Sequence, residues 1–215
     1  MALARSALDP LELASHGPVI PVVVIEDAAH AVPMARALFD GGVRVVEVTL
    51  RTPAAIPAIA AIAQAMPEVI VGAGTVRSAA DARAALAAGA RFAVSPGFSS
   101  RVAAACREIG LALLPGVATA SEVMQAAEEG FRFLKFFPAS AAGGTSMLKA
   151  WSSVFADVSF CPTGGIGAAS APDYLALGNV RVVGGSWLTP PDALAAADWR
   201  RIERLARDAA GLKPT

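Results

Sequence analysis

Short β-branched runs alternate with Ala-rich stretches along nearly the whole chain, and this alternation limits the possible folds more than any other feature. The runs read as strands are Val19–Ile25, Val43–Val48, Val69–Gly72, Phe92–Ser95, Ala112–Leu114, Phe131–Phe136, Val158–Cys161 and Val180–Gly184. Between them, the pattern predicts helices over Ala28–Phe39, Pro53–Met66, Ser78–Ala88, Ser99–Ile109, Ala120–Glu129, Thr145–Phe155 and Ala171–Leu177, with a last one over Pro191–Ala210. The punctuation agrees. Ser78, Ser99, Ser121 and Ser170 stand where N-caps belong. Gly41, Gly89, Gly110 and Gly130 stand where a left-handed C-cap needs a residue without a Cβ.

Strict βα alternation requires parallel strands joined by helical crossovers. About eight such units predict an α/β fold, a single (β/α)₈ TIM barrel with a short N-terminal helix over Met1–Ala14, formed as one domain over residues 1–215. A doubly wound open sheet uses the same local pattern and is the alternative; the unit count favours the barrel.

Composition narrows the partners. The chain is 55% hydrophobic and 17% charged, which excludes a disordered polymer. Its 18 basic and 18 acidic residues cancel, so nothing points to nucleic acid, although a small anion needs only a local site. The two cysteines, Cys106 and Cys161, form no disulfide framework and no zinc spacing, and read as reduced, buried thiols. Residues Met1–Ala14 carry Arg5, Asp9 and Glu12 and lack the apolar region of a signal peptide. No stretch reaches the roughly 18 apolar residues of a membrane span. Pro53–Met66 comes nearest, but Pro57 and Gln64 interrupt it. The expectation is a soluble, cytoplasmic protein with no membrane partner.

In a barrel, the site lies at the C-terminal ends of the strands. On the second strand Val45, Glu47, Thr49 and Arg51 share one face and Val46, Val48 and Leu50 the other, since side chains alternate with period two. The interior therefore receives a carboxylate and, beyond it, a guanidinium. The sixth strand brings Lys135 amid Phe133, Phe136 and Phe137, in a chain with three lysines against fifteen arginines. An ammonium in an apolar pocket loses hydration, which favours the neutral amine. That amine can add to a ketone and form a Schiff base, an electron sink for carbon–carbon cleavage. Glu47, projecting from the opposite strand, could move the protons. A structural ion pair at Glu47 and a snorkelling or ion-paired Lys135 are the alternatives.

Strands seven and eight end in Gly164-Gly165 and Gly184-Gly185-Ser186. Glycines allow close backbone approach to a ligand, and barrels often bind phosphate after these two strands; simple turns are the competing reading. Val71-Gly72-Ala73-Gly74-Thr75 does not complete a dinucleotide fingerprint, and Thr75 could bond a substrate carboxylate or keto oxygen. Ser95-Pro96-Gly97 and Leu114-Pro115-Gly116 read as rigid turns at the mouth. His16 and His30 lie away from the strand ends, and no cluster has metal-ligand spacing, so no metal or cofactor is expected. A phosphate-binding epimerase or isomerase, or a sugar-phosphate binding protein without catalysis, would share the glycines but would not need Lys135 as a nucleophile.

Several motifs resemble those of the 2-keto-3-deoxy-6-phosphogluconate aldolases. They are Gly42 through Thr52, Val71-Gly72-Ala73-Gly74-Thr75-Val76, Ser95-Pro96-Gly97, Phe133-Leu134-Lys135-Phe136-Phe137-Pro138-Ala139, Cys161-Pro162-Thr163-Gly164-Gly165-Ile166 and Gly184-Gly185-Ser186-Trp187-Leu188. The likeness runs from about Gly17 to Ala210. It implies a metal-free class I aldolase of the Entner–Doudoroff pathway that takes a phosphorylated keto acid and releases pyruvate and glyceraldehyde 3-phosphate, with 4-hydroxy-2-oxoglutarate as a second substrate. It also implies Lys135 as the Schiff-base lysine and Glu47 as the proton shuttle. Arg51, Thr75, Pro96, Phe137 and Thr163 would surround the pyruvate portion, and Gly164, Gly165, Gly184, Gly185 and Ser186 would take the phosphate. A homotrimer is implied as well. Some relatives carry an arginine on the first strand, and Val19–Asp27 has none.

Overall fold

The computed structural model describes residues 8–212. The expected N-terminal helix up to Ala7, with Arg5, and the lysine at 213 lie outside them. From the start of the described chain a 3-10 turn, Pro10–His16, is capped by the Asp9 carboxylate, which accepts from the Leu11 N–H. The alternation then unfolds as β1 (Val19–Val23), α1 (Ala31–Asp40), β2 (Val45–Thr49), α2 (Ala55–Ala65), β3 (Ile70–Gly74) and α3 (Ala79–Ala87). Next come β4 (Phe92–Val94), α4 (Ser100–Glu108), β5 (Ala112–Leu114), β6 (Gly116–Val117), α5 (Ala120–Glu128), β7 (Phe133–Phe136) and α6 (Gly144–Val154). The chain ends in β8 (Ser159–Pro162), α7 (Ala171–Leu175), β9 (Val183–Gly185), α8 (Pro191–Ala195) and α9 (Trp199–Ala210).

Every strand pairing is parallel. Six strands form a curled sheet in the order β5-β4-β3-β2-β1-β9, and β6-β7-β8 form a second sheet. Only Pro115 separates β5 from β6. The expected fifth strand, Ala112–Leu114, is β5; proline has no N–H to give a ladder, so the pairing with β4 ends there, and Gly116-Val117, the first of them expected in a rigid turn, pairs instead with β7. Single bridges, Thr163 to Gly184 and Phe160 to Val180, run from the β8 side to the β9 side.

The strands are apolar on both faces, as parallel strands covered by helices must be. Val46 and Val48 pack outward with Ile59 and Ile62 of α2 in the larger core. Ile20, Val45, Ile70, Phe92, Val94, Leu114, Phe133, Cys161 and Val182 gather on the concave side, with Leu13 of the N-terminal turn packed among them. That plug leaves the opposite end, at the strands' C-termini, for a site. The Phe92 ring fills space that exists because residue 72 is glycine, where a Cβ would come within 2.4 Å of the ring. Phe92→Ala is therefore expected to cost about 3–5 kcal/mol, the range for emptying a buried aromatic position. Urea unfolding measures this, and a loss below roughly 1 kcal/mol would mean that the inner layer can collapse around the gap.

Local chemistry corrects several expectations. Ser78 and Ser99 do cap α3 and α4. Ser121 does not cap α5. Thr119 is the extended residue there, and it exchanges bonds with Glu122 in a reciprocal capping box. The Ser170 hydroxyl accepts from the Gly167 N–H at 3.1 Å instead of capping α7. Gly89, Gly110 and Gly130 take positive φ, but Gly41 does not; Gly42, at φ 96°, is the left-handed residue. Gly41 is needed for contact, since a Cβ there would come within 2.5 Å of the Ala206 Cβ on α9. The last helix breaks in two: Ala197 has φ 51°, and the Asp198 carboxylate caps α9 by accepting from the Arg201 N–H. Among the described residues no helix is long and apolar enough to cross a membrane.

Candidate active site

The period-two pattern of β2 carries Val45, Glu47 and Thr49 inward, and that of β7 carries Phe133 and Lys135 inward. Glu47 and Lys135 meet there: Lys135 Nζ donates to Glu47 Oε1 at 3.2 Å, with the two residues 4% and 3% exposed. A buried pair of this kind is stable only with further support, because both ions have left water. The support is visible. Nζ lies 5.3 Å from the centre of the Phe137 ring, a cation–π distance. Gly74 leaves room for the carboxylate, since a Cβ at that position would fall 2.1 Å from Oε1. Thr49 donates from Oγ1 to the Val23 carbonyl at 2.8 Å, tying β2 to β1 beside the pair.

Cys161 stands opposite Lys135 in the β7–β8 register. Burial pushes its thiol up to about 12, against the pull of the Lys135 charge, so it stays protonated and unreactive at neutral pH. Burial likewise raises Cys106 to about 11. Both cysteines are free and buried, as expected.

Past the pair, at the strands' C-terminal ends, lies a cavity of about 280 Å³. Arg51, Phe137, Thr163, Gly164, Gly165, Gly184, Gly185 and Ser186 line it, together with Val22, Val24, Ile166, Thr189 and Pro191. The structure thus gathers most of the expected substrate and phosphate residues around one space. Lys135, Glu47, Thr75 and Pro96 are not part of that lining. Lys135 reaches it through Phe137. Thr75 reaches it through Arg51, whose Nε donates to Thr75 Oγ1 at 3.2 Å. Thr75 has φ 60°, a conformation that costs a β-branched residue energy and concentrates at functional sites. Pro96 packs on Gly116, the register partner of Lys135: a Cβ on Gly116 would come within 2.4 Å of the Pro96 carbonyl carbon. The glycines of strands eight and nine are likewise fixed by contact, a Cβ on Gly184 falling 2.2 Å from Thr163 Oγ1.

The family model described as KDPG and KHG aldolase matches residues 12–205. The chain belongs to the KDPG and KHG aldolase family. A 2-dehydro-3-deoxy-phosphogluconate aldolase of Pseudoalteromonas atlantica is 52% identical over 195 residues, 91% of each chain. The KDPG aldolase of Legionella pneumophila, solved with pyruvate captured as a covalent carbinolamine intermediate, superposes with a TM-score of 0.93 at 45% identity, covering 95% of this chain and 99% of that one. The Zymomonas mobilis enzyme solved with 3-phosphoglycerate gives 0.90 at 45% identity, covering 95% and 96%.

Within this aldolase framework, sequence reading missed residues whose signals are weak. Ser95 is buried; its Oγ donates to the Gly97 carbonyl at 2.8 Å and accepts from the Gly116 N–H at 3.4 Å, fixing the turn that carries Pro96. Gly74 was visible only as part of a motif, although the reason for it is the carboxylate beside it. Thr189 gave no signal at all, because a threonine after a Trp-Leu pair resembles any loop residue. His16 ends the N-terminal turn, and His30 packs edge-on against Trp199, both outside the cavity lining.

Proposed function

We propose that this aldolase cleaves 2-keto-3-deoxy-6-phosphogluconate to pyruvate and glyceraldehyde 3-phosphate, and splits 4-hydroxy-2-oxoglutarate to pyruvate and glyoxylate, through a Schiff base on Lys135. The carrying observation is the buried contact between Lys135 Nζ and Glu47 Oε1, with Nζ beside the Phe137 ring that lines the cavity. Glu47 can accept the ammonium proton, which frees the amine to add to the C2 ketone. Glu47 returns that proton to the carbinolamine hydroxyl, which leaves as water, so that a protonated imine remains and Glu47 is again a carboxylate. As the C3–C4 bond breaks, its electron pair flows into the imine and Glu47 takes the C4 hydroxyl proton, so the aldehyde departs. Protonation of the resulting enamine at C3 and hydrolysis then release pyruvate and the free lysine.

The remaining residues are assigned by position. The Arg51 fork, oriented by its bond to Thr75, suits the substrate carboxylate. Phe137 and Thr163 flank the pyruvate portion, with Pro96 bounding the strand end beside them. Gly164, Gly165, Gly184, Gly185 and Ser186 present backbone at the far end of the cavity, in keeping with a phosphate site. The reaction needs no metal or cofactor. The two sheets, joined through Pro115 on one side and through the Thr163–Gly184 bridge on the other, support one closed (β/α)₈ barrel as a single domain. A homotrimer working in the cytoplasm, in the Entner–Doudoroff pathway, completes the reading, on the family likeness.

Borohydride reduction in the presence of pyruvate, followed by peptide mass mapping, tests the proposal. A pyruvyl mass shift on Lys135 is expected. Folded protein that gains no adduct would overturn the Schiff-base reading and favour a phosphate-binding isomerase, or a binding protein without turnover.

A further inference from the structure

We propose that the Thr189 hydroxyl is an additional hydrogen-bond donor to the phosphate end of the substrate; this rests on the aldolase reading above. Thr189 is 5% exposed, and its Oγ1 is buried with no hydrogen-bond partner among the described residues. A buried hydroxyl left in that state weakens the fold by the hydration it has lost, so a position that keeps one calls for a ligand. Thr189 also lines the cavity that Gly165, Gly185 and Ser186 line. Its backbone N–H donates to the Ser186 carbonyl at 3.2 Å, which makes the two residues the ends of one tight turn beyond β9. One short turn therefore brings two hydroxyls to the same end of the cavity.

Charge points the same way. Arg51 is the single cation among the described residues lining the cavity, and it is already directed toward Thr75. A phosphate at the far end must be held by neutral donors, namely glycine-rich backbone and hydroxyls. The other buried side-chain polar atom lacking a partner among the described residues, Asn179 Oδ1, belongs to a side chain that donates to the Leu148 carbonyl at 2.9 Å and takes no part in the cavity lining. Thr189 is thus the unpaired buried hydroxyl that a ligand in this cavity could satisfy.

Thr189→Val keeps the shape and removes the hydroxyl; Thr189→Ser keeps the hydroxyl. For Thr189→Val, KM for the phosphorylated keto acid is expected to rise about tenfold with kcat within about twofold, the scale of one hydrogen bond to a charged group. Competitive inhibition by inorganic phosphate should weaken in parallel, and Thr189→Ser should restore both. Formation of the borohydride-trapped pyruvyl adduct should be unchanged, because pyruvate carries no phosphate. The melting temperature should stay level or rise, since an unpaired polar group is removed. Unaltered KM and phosphate inhibition would overturn the proposal, and so would an equal loss in pyruvate trapping, which marks a structural role. Absence of any adduct in the wild-type protein would instead refute the aldolase reading, while the phosphate affinities of the two proteins, read by calorimetry, would still judge Thr189.

Discussion

Lys135→Ala protein is expected to lose cleavage by about 10⁴-fold or more, the scale seen when a covalent nucleophile is removed. In the proposed mechanism the amine supplies both the bond to the substrate and the electron sink, and no other lysine among the described residues is buried. Alanine also strands Glu47 as an unpaired buried carboxylate, and breaking a buried pair from one side costs about 3–5 kcal/mol. A fall in activity alone would therefore confuse chemistry with folding. Lys135→Arg separates them, because it keeps a cation beside Glu47 while supplying a guanidinium that cannot form the imine. Both variants should be inactive in a pyruvate-release assay and blank in borohydride trapping, with Lys135→Arg the more resistant of the two to urea. Substantial turnover by folded Lys135→Arg would remove Lys135 from the role of nucleophile.

The same residue shows why the candidate site stood out in the sequence. A lysine in an aromatic strand, in a chain with fifteen arginines and two other lysines, contradicts its own surroundings, as does Glu47 in a strand of valines. Residues that break the local rule stand out as candidates without a structure. The alternation of strands and helices was equally open to reading, since it depends on periodicity alone. What was hidden depends on contacts between distant segments. Gly41 looks like a C-cap until Ala206 is seen against it, and its neighbour Gly42 takes the positive φ. The break at Ala197 has no proline or glycine to announce it, and only the Asp198 cap marks it. Ser121 was the better N-cap by residue type, but Thr119 had the glutamate at the right spacing. The short strand Gly116–Val117 after Pro115 looked like a turn because its pairing with β7, while β5 pairs with β4, is a fact of sheet order that no local pattern contains.

Glu47→Gln tests the other half of the pair. Glutamine has the shape of glutamate and can still accept a hydrogen bond from the amine through its carbonyl oxygen, so the packing around Gly74 is retained. It cannot take a proton at that distance. Cleavage is expected to slow by about 10²–10⁴-fold, the usual contribution of a positioned general acid–base group. The sharper measurement uses pyruvate alone. In heavy water the enzyme should exchange the methyl protons of pyruvate for deuterium, because forming the enamine removes one of them and reversal returns a deuteron. NMR should show this exchange lost in Glu47→Gln by a factor like that for cleavage, while borohydride still traps a pyruvyl adduct on Lys135, more slowly. Loss of exchange with the adduct retained assigns proton transfer at carbon to Glu47. Exchange at the wild-type rate would mean that another group does that work and that Glu47 serves only to balance the lysine's charge. Loss of exchange together with loss of the adduct would place the defect earlier, at the step in which the carboxylate frees the amine.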